Sequence, residues 1–115
     1  MSITMYGIPN CDTIKKARKW LEQAGIDYQF HDYRKQGVDA DMVAEFCSNL
    51  GWENVLNKRG TTYRQLTAEQ KESLNETNAV ALLVEKPAMI KRPILRVNND
   101  LHLGFKPEQY SSIFA

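Results

Sequence analysis

The first 33 residues restrict this chain more than any other part of it. Residues 2–7 are short, apolar and rich in β-formers, which reads as a buried strand. From Asp12 to Ala24 the apolar residues Ile14, Ala17, Leu21 and Ala24 return every three or four positions, the period of one helix face, and Gly25 supplies a stop. Tyr28 to Tyr33 then reads as a second strand. A strand, a helix and a strand this close in sequence predict a βαβ unit with parallel strands and a right-handed crossover.

The remainder follows from punctuation and periodicity. Gly37 breaks the pattern, Asp39 is placed to cap a helix carrying Val43, Phe46, Cys47 and Leu50 on one apolar stripe, and Gly51 ends it. Thr67 and Gln70 have the spacing of a capping box, and Ala79 to Glu85 gives another apolar helical run before Pro87. Ile94–Val97 and Leu101–Phe105 flank Asn98, Asn99 and Asp100, residues that tolerate left-handed geometry, so this pair predicts a β-hairpin. Pro107 suits the first turn of a closing helix holding Tyr110, Ile113 and Phe114. The expected fold is α/β: βαβ, a helical insertion at about 39–90, then ββα, in a single domain over residues 1–115.

Composition narrows the functions available. The net charge is +1 and the basic residues are interleaved with acids, so no nucleic-acid partner is expected. No segment approaches the roughly 20 apolar residues of a membrane span, and the first ten residues lack a basic leader, which makes the cytoplasm the expected location. His31 and His102 stand apart, and no Cys and His cluster has zinc-like spacing, so no metal is expected.

The two cysteines sit in different contexts. Cys47 belongs to an apolar helix stripe and reads as a small buried hydrophobe. Cys11 lies in YGIPNCDTIKKARKWL, between the first strand and the first helix. The crevice beyond the carboxyl ends of strands is the usual ligand site in α/β units, and a helix start presents unpaired N–H groups and a positive dipole end. A thiolate is an anion that such a place favours. Lowering a thiol pKa from about 8.5 to about 7 raises its charged fraction at neutral pH from a few per cent to about half. Lys15 and Lys16 are expected to add positive charge there, while Asp12 opposes it.

The Tyr-x-x-Pro-x-Cys loop (Tyr6 to Cys11), the helix after it, Asn57-Lys58-Arg59-Gly60, and Ile90-Lys91-Arg92-Pro93-Ile94 together resemble the ArsC-like family of the thioredoxin superfold, in its YffB branch. The resemblance covers nearly the whole chain. It implies a thioredoxin-like sheet with a cis Arg92-Pro93 bond facing the reactive cysteine. It also implies Cys11 as the nucleophile and Arg59 and Arg92 as holders of a substrate anion, a task suited to the rigid donor fork of a guanidinium.

Some positions depart from the family's arsenate reductases. Where those have a His before the cysteine and an Arg in the first helical turn, this chain has Gly7 and Lys15; where a third substrate arginine precedes a Pro, it has Lys106 before Pro107. Lys15 and Lys106 are therefore candidate substrate-binding cations, with Pro93, beside the two arginines. The sequence Cys11-Asp12-Thr13-Ile14 also lacks the second cysteine that thioredoxins and the Spx branch carry three positions on. A monothiol left in a mixed disulfide needs an external thiol to release it. The expected function is a glutathione-dependent thiol-disulfide oxidoreductase, with glutathione as co-substrate, no bound cofactor, and a small thiol, disulfide or oxyanion as substrate. A monomer is the expected state. The alternatives are arsenate reduction within the same family and a non-catalytic, Spx-like regulator that binds RNA polymerase.

Overall fold

The computed structural model describes residues 2–115. The chain divides into two units, one formed by residues up to Gln36 together with Arg92–Ala115, the other by Gly37–Lys91. The first holds a sheet of β1 (Ile3–Gly7), β2 (Gln29–Asp32), β3 (Ile94–Val97) and β4 (Asp100–Leu103), with helices α1 (Asp12–Gln23), α2 (Tyr33–Gln36) and a closing helix at Pro107–Ile113.

The strand order is β2-β1-β3-β4. β1 pairs in parallel with β2 and antiparallel with β3, and β3 pairs antiparallel with β4. The βαβ and ββα halves thus share one mixed sheet, the thioredoxin-like arrangement that the resemblance implies. Alternation along β1 sends Ile3 and Met5 to one face, where they join Ile14, Ala17 and Leu21 of α1, Leu95 and Val97 of β3, and Tyr110 of the closing helix. Trp20, Phe105 and Phe114 surround the Tyr110 ring, with Phe105 at 4.7 Å between centroids and nearly perpendicular. Arg18 pins α1 to β2 by donating from Nε to the Tyr28 hydroxyl (2.9 Å) while its guanidinium lies 4.3 Å from the Phe30 ring.

Strand ends differ slightly from the expected ones, for local reasons. β2 stops at Asp32, not Tyr33, because the Asp32 carboxylate accepts from the Arg34 N–H (2.8 Å) and starts the single turn of α2. β4 begins at Asp100 and ends at Leu103, short of Phe105, where Gly104 takes a φ of +79°. The hairpin turn rests on Asn98, whose φ of +55° is the left-handed geometry that Asn accepts.

The second unit is helical. It contains α3 (Ala40–Leu50), α4 (Trp52–Val55), α5 (Thr61–Arg64), α6 (Ala68–Glu72), α7 (Glu76–Glu85) and a 3-10 turn at Pro87–Met89. The closing helix Pro107–Ile113 is α8. Asp39 caps α3 by accepting from the Met42 N–H, and Thr67 and Gln70 form the capping box of α6. Such caps are worth about 1 kcal/mol each. α7 starts three residues before the expected Ala79, because Asn75 and Asn78 make a reciprocal box with amide side chains. Val43, Phe46 and Cys47 of α3 are buried, as are Val55, Ala79, Leu83, Met89 and Ile90. Ile90 bridges to Leu56, and Lys91 donates its N–H to the Val55 carbonyl (2.7 Å).

Gly7 has a packing reason. A Cβ built there overlaps the side chain of Ile14, which is fully buried. Gly7→Ala is expected to cost about 1–3 kcal/mol by overpacking, and Ile14→Val is expected to recover part of that loss. Urea unfolding of the two single variants and the double variant checks this, with additive losses as the contrary result.

Candidate active site

Register brings four of the expected site positions to one end of the first unit's sheet. Tyr6 near the end of β1 pairs with Ile94 at the start of β3, Gly7 pairs with Asp32 at the end of β2, and Ile94 pairs with Leu103 at the end of β4. The loop carrying Cys11, the Arg92-Pro93 segment and the Gly104–Lys106 turn therefore leave or enter the sheet at the same edge. The Gly104 N–H donates to the Pro93 carbonyl (2.8 Å), tying two of these segments together. The Arg92-Pro93 peptide bond is cis, as the resemblance implies, and Pro93 is buried.

Cys11 is the N-cap of α1, extended at φ −93° and ψ 131°, with its carbonyl already accepting from the Lys15 N–H (3.0 Å). An N-cap side chain faces the N–H groups of the second and third helical residues, here Thr13 and Ile14. The thiol makes no side-chain capping hydrogen bond, yet these groups bear on its ionisation. Burial pushes the thiol pKa up, but the Ile14 amide, the Arg92 guanidinium and the Thr13 amide together outweigh burial, and the pKa lies below the ordinary thiol value. Cys11 is half-buried and packs against the core of the first unit.

Cys47 is the opposite case. It is buried on α3, and burial, helped by the Glu76 carboxylate, raises its pKa. Both cysteines are free thiols.

The cations sort differently from the expectation. The cation acting on Cys11 is Arg92, not Lys15 or Lys16. Lys15 instead lines a groove of about 570 Å³ with Pro9, Arg18, Lys19, Glu22 and Gln23, along the flank of α1. Lys106, exposed at the N-cap of α8, shares the sheet edge with Cys11. Arg59 belongs to the second unit, exposed, where it lines a cleft of about 280 Å³ with Asn54, Asn57, Lys58 and Lys91. Tyr33 was not among the expected site residues. It sits at the same sheet edge as Cys11, is 3% exposed, and feels the charge of Arg92. Its only sequence signal was a place at the end of the second strand.

Among the described residues, no group of three or more His, Cys, Asp and Glu is placed to hold a metal ion, and no helix is long and apolar enough to cross a membrane. A lowered pKa keeps the thiolate as pH falls, so alkylation of Cys11 by iodoacetamide is expected to reach half its maximal rate below the pH of an ordinary thiol, and well before Cys47 reacts. Arg92→Ala removes both a hydrogen bond and a positive charge and is expected to move that midpoint up. Mass-resolved labelling from pH 5 to 10 checks both shifts; an unmoved midpoint in the Arg92 variant contradicts the electrostatic assignment.

The comparisons with known proteins agree with this geometry. The ArsC family model matches residues 6–113. A solved structure of a YffB protein is 43% identical, superposes with a TM-score of 0.95, and is covered over 100% of its length by 99% of this chain. The solution structure of an arsenate reductase (ArsC) related protein from Brucella melitensis is 48% identical with a TM-score of 0.82, over 99% of this chain and 95% of that one. An uncharacterised protein of Haemophilus influenzae is 43% identical over 98% of this chain and 99% of its own length. With a cysteine at the N-cap of α1, a cis proline before β3, and a family match over nearly its entire length, the chain belongs to the ArsC family.

Proposed function

We propose that the protein is a monothiol thiol-disulfide oxidoreductase that draws its electrons from glutathione. The observation carrying this reading is the Cys11 sulfur at the N-cap of α1, whose pKa two backbone amides and Arg92 lower despite burial. An ordinary thiol of pKa about 8.5 is only a few per cent ionised at neutral pH, so a downward shift raises the concentration of the attacking species directly.

The Cys11 thiolate attacks one sulfur of a disulfide; a Cys11–substrate disulfide forms and the other sulfur leaves as a thiolate. With Asp12, Thr13 and Ile14 following Cys11, no neighbouring thiol in the helix can resolve that bond. Cys47 is unsuited to the task because it is buried and its pKa is raised. A glutathione thiolate then attacks the mixed disulfide, restores the Cys11 thiolate and departs bonded to the substrate sulfur. A second glutathione cleaves that product to the free thiol and oxidised glutathione, so two glutathione molecules supply the two electrons. Arg92 supports the first step by favouring the thiolate and is the proposed holder of a carboxylate or oxyanion on the reactant; Arg59 is the second arginine of the family pattern, and Lys106 and Lys15 stand where that pattern has further arginines.

Reduction of arsenate is the second reading, favoured by the similarity to the arsenate reductase related protein of Brucella melitensis. Gly7 weighs against it, because the space for a side chain there is filled by Ile14. Lys15 also supplies a point charge where those reductases have a guanidinium fork. A coupled assay offering arsenate or a disulfide, each with glutathione, separates the two.

Incubation with oxidised glutathione is expected to add one glutathionyl group to the protein, on Cys11. Cys11→Ser is expected to abolish both the adduct and turnover, and Cys47→Ser to preserve both. Arg92→Lys keeps the charge but loses the fork, and a loss of about tenfold or more in kcat/KM is expected from one weakened charge-assisted hydrogen bond. Mass spectrometry and a glutathione-coupled rate assay check these outcomes, and an adduct on Cys47 in place of Cys11 overturns the assignment.

A further inference from the structure

The groove of about 570 Å³ along α1 falls in the size range of ligand clefts, about 300–1,000 Å³. Pro9, Lys15, Arg18, Lys19, Glu22 and Gln23 line it. Three of these side chains are cationic and one is anionic, although the whole chain carries a net charge of only +1. The thiol chemistry of Cys11 and Arg92 makes no use of Arg18, Lys19 or Glu22.

The groove starts beside the proposed nucleophile. Pro9 lies in the turn that the Cys11 N–H closes by donating to the Ile8 carbonyl (3.3 Å). At about 100° per residue, Lys15, Arg18 and Glu22 fall within about 60° of one another around the helix axis, and Cys11 at the N-cap heads the same row. Ile14, Ala17 and Leu21 take the buried side of α1, so this flank stays open, with Lys15, Lys19 and Glu22 exposed. Arg18 is already held in place: its Nε donates to the Tyr28 hydroxyl (2.9 Å) and its guanidinium lies 4.3 Å from the Phe30 ring. That bond uses one of the roughly five N–H donors of a guanidinium. The Tyr28 hydroxyl in turn donates to the Glu22 carboxylate (3.4 Å), which engages the groove's one acid at the end away from Cys11.

We propose that the α1 groove binds an acidic polypeptide segment, the stretch flanking the cysteine of a protein whose disulfide is attacked by Cys11. The inference rests on Cys11 as the nucleophile of the proposed function, though not on glutathione as electron donor. Charge complementarity identifies the occupant: carboxylates meet Lys15, Arg18 and Lys19, while Pro9 and the lysine stems offer apolar contact to the peptide backbone. Length points the same way. Cys11 to Glu22 is about 16 Å along the helix, which an extended chain covers with about five residues. Glutathione, a tripeptide with its thiol on the middle residue, is too short to lie along the whole groove.

A synthetic peptide with a central cysteine, activated as its 2-pyridyl disulfide, tests this on the full chain without turnover. One form carries Asp and Glu out to about four residues on each side of the cysteine, but not next to it, and the other carries Asn and Gln at the same places. The Cys11 thiolate attacks the peptide sulfur, a Cys11–peptide disulfide forms, and pyridine-2-thione leaves with the electron pair of the broken bond, so no added reductant is needed. Rates are divided by those of mercaptoethanol with the same peptides, which removes their intrinsic reactivity. The wild type is expected to favour the acidic form by about tenfold at low salt, from two or three exposed ion pairs worth a factor of a few each. At 1 M salt, where the Debye length is about 3 Å, that preference is expected to fall to about twofold or less. Lys19→Gln is expected to lower the low-salt preference about threefold, and to have no such effect when the acids are moved next to the cysteine. Equal rates with the acidic and amide forms, a preference that Lys19→Gln leaves intact, or an equal slowing of both forms in that variant overturns the proposal.

Fluorescence anisotropy of the same peptides, labelled and with serine in place of the cysteine, separates the groove from the thiol. The acidic form is expected to bind the wild type more tightly than the amide form, and Lys19→Gln less tightly than the wild type. Tighter binding of a single-stranded oligonucleotide of equal charge overturns the choice of a peptide. Failure of Cys11 to release pyridine-2-thione from any peptide would remove the nucleophile assignment and leave this binding result to decide the groove.

Discussion

The pairing of β1 on both its edges is the constraint from which the site follows. A strand with a parallel neighbour on one side and an antiparallel neighbour on the other sends the exits of β1 and β2 and the entrance of β3 to the same end. Cys11 follows the first exit, Tyr33 the second, and Arg92 precedes the entrance. These residues are far apart along the chain, and the register makes them neighbours. A shift of one residue would turn Ile3 and Met5 out of the core that α1 and α8 complete, so burial of the apolar face also fixes the chemistry at the edge.

The sulfur at that edge is subject to opposing effects. Desolvation is the largest single influence on Cys11 and works against the thiolate. The Ile14 amide, Arg92 and the Thr13 amide together outweigh it. The amides are supplied by helix geometry and would serve any small acceptor at the N-cap. Arg92 is the specific contribution, because it adds a full charge as well as a hydrogen bond. Cys47 shows what happens without such help: away from a helix start no free amides face it, and burial, with Glu76, raises its pKa.

Much of this was legible in the sequence, and the limits have physical causes. The βαβ unit, the caps at Asp39 and Thr67, the hairpin at Asn98 and the placing of Cys11 at a helix start are local properties, written in spacing and turn chemistry. The identity of the cation beside the thiol is not local. Lys15 and Lys16 are adjacent in sequence, but the side chains of the first helical turn fan outward, and Lys15 lies along the α1 groove. Only the pairing of β1 with β3 brings Arg92 in, and the family resemblance, not the periodicity, pointed to it. Tyr33 escaped notice for a similar reason, since a strand-forming residue at the end of an apolar run looks like more strand until the Asp32 side chain is seen to start a turn.

The departures at Gly7 and Lys15 alter the surroundings of the proposed nucleophile. Gly7 lies where Ile14 fills the space, so restoring a bulky side chain there would disturb the helix that supplies the thiolate's amides. Ionisation of Cys11 and packing of Ile14 are therefore linked, because Ile14 contributes its side chain to the core and its N–H to the sulfur. That linkage favours variation at the outer ligands over variation at the nucleophile. The start of α1 thus fixes the sulfur and its amides together, while Arg92 adds its charge from the strand entrance beside them.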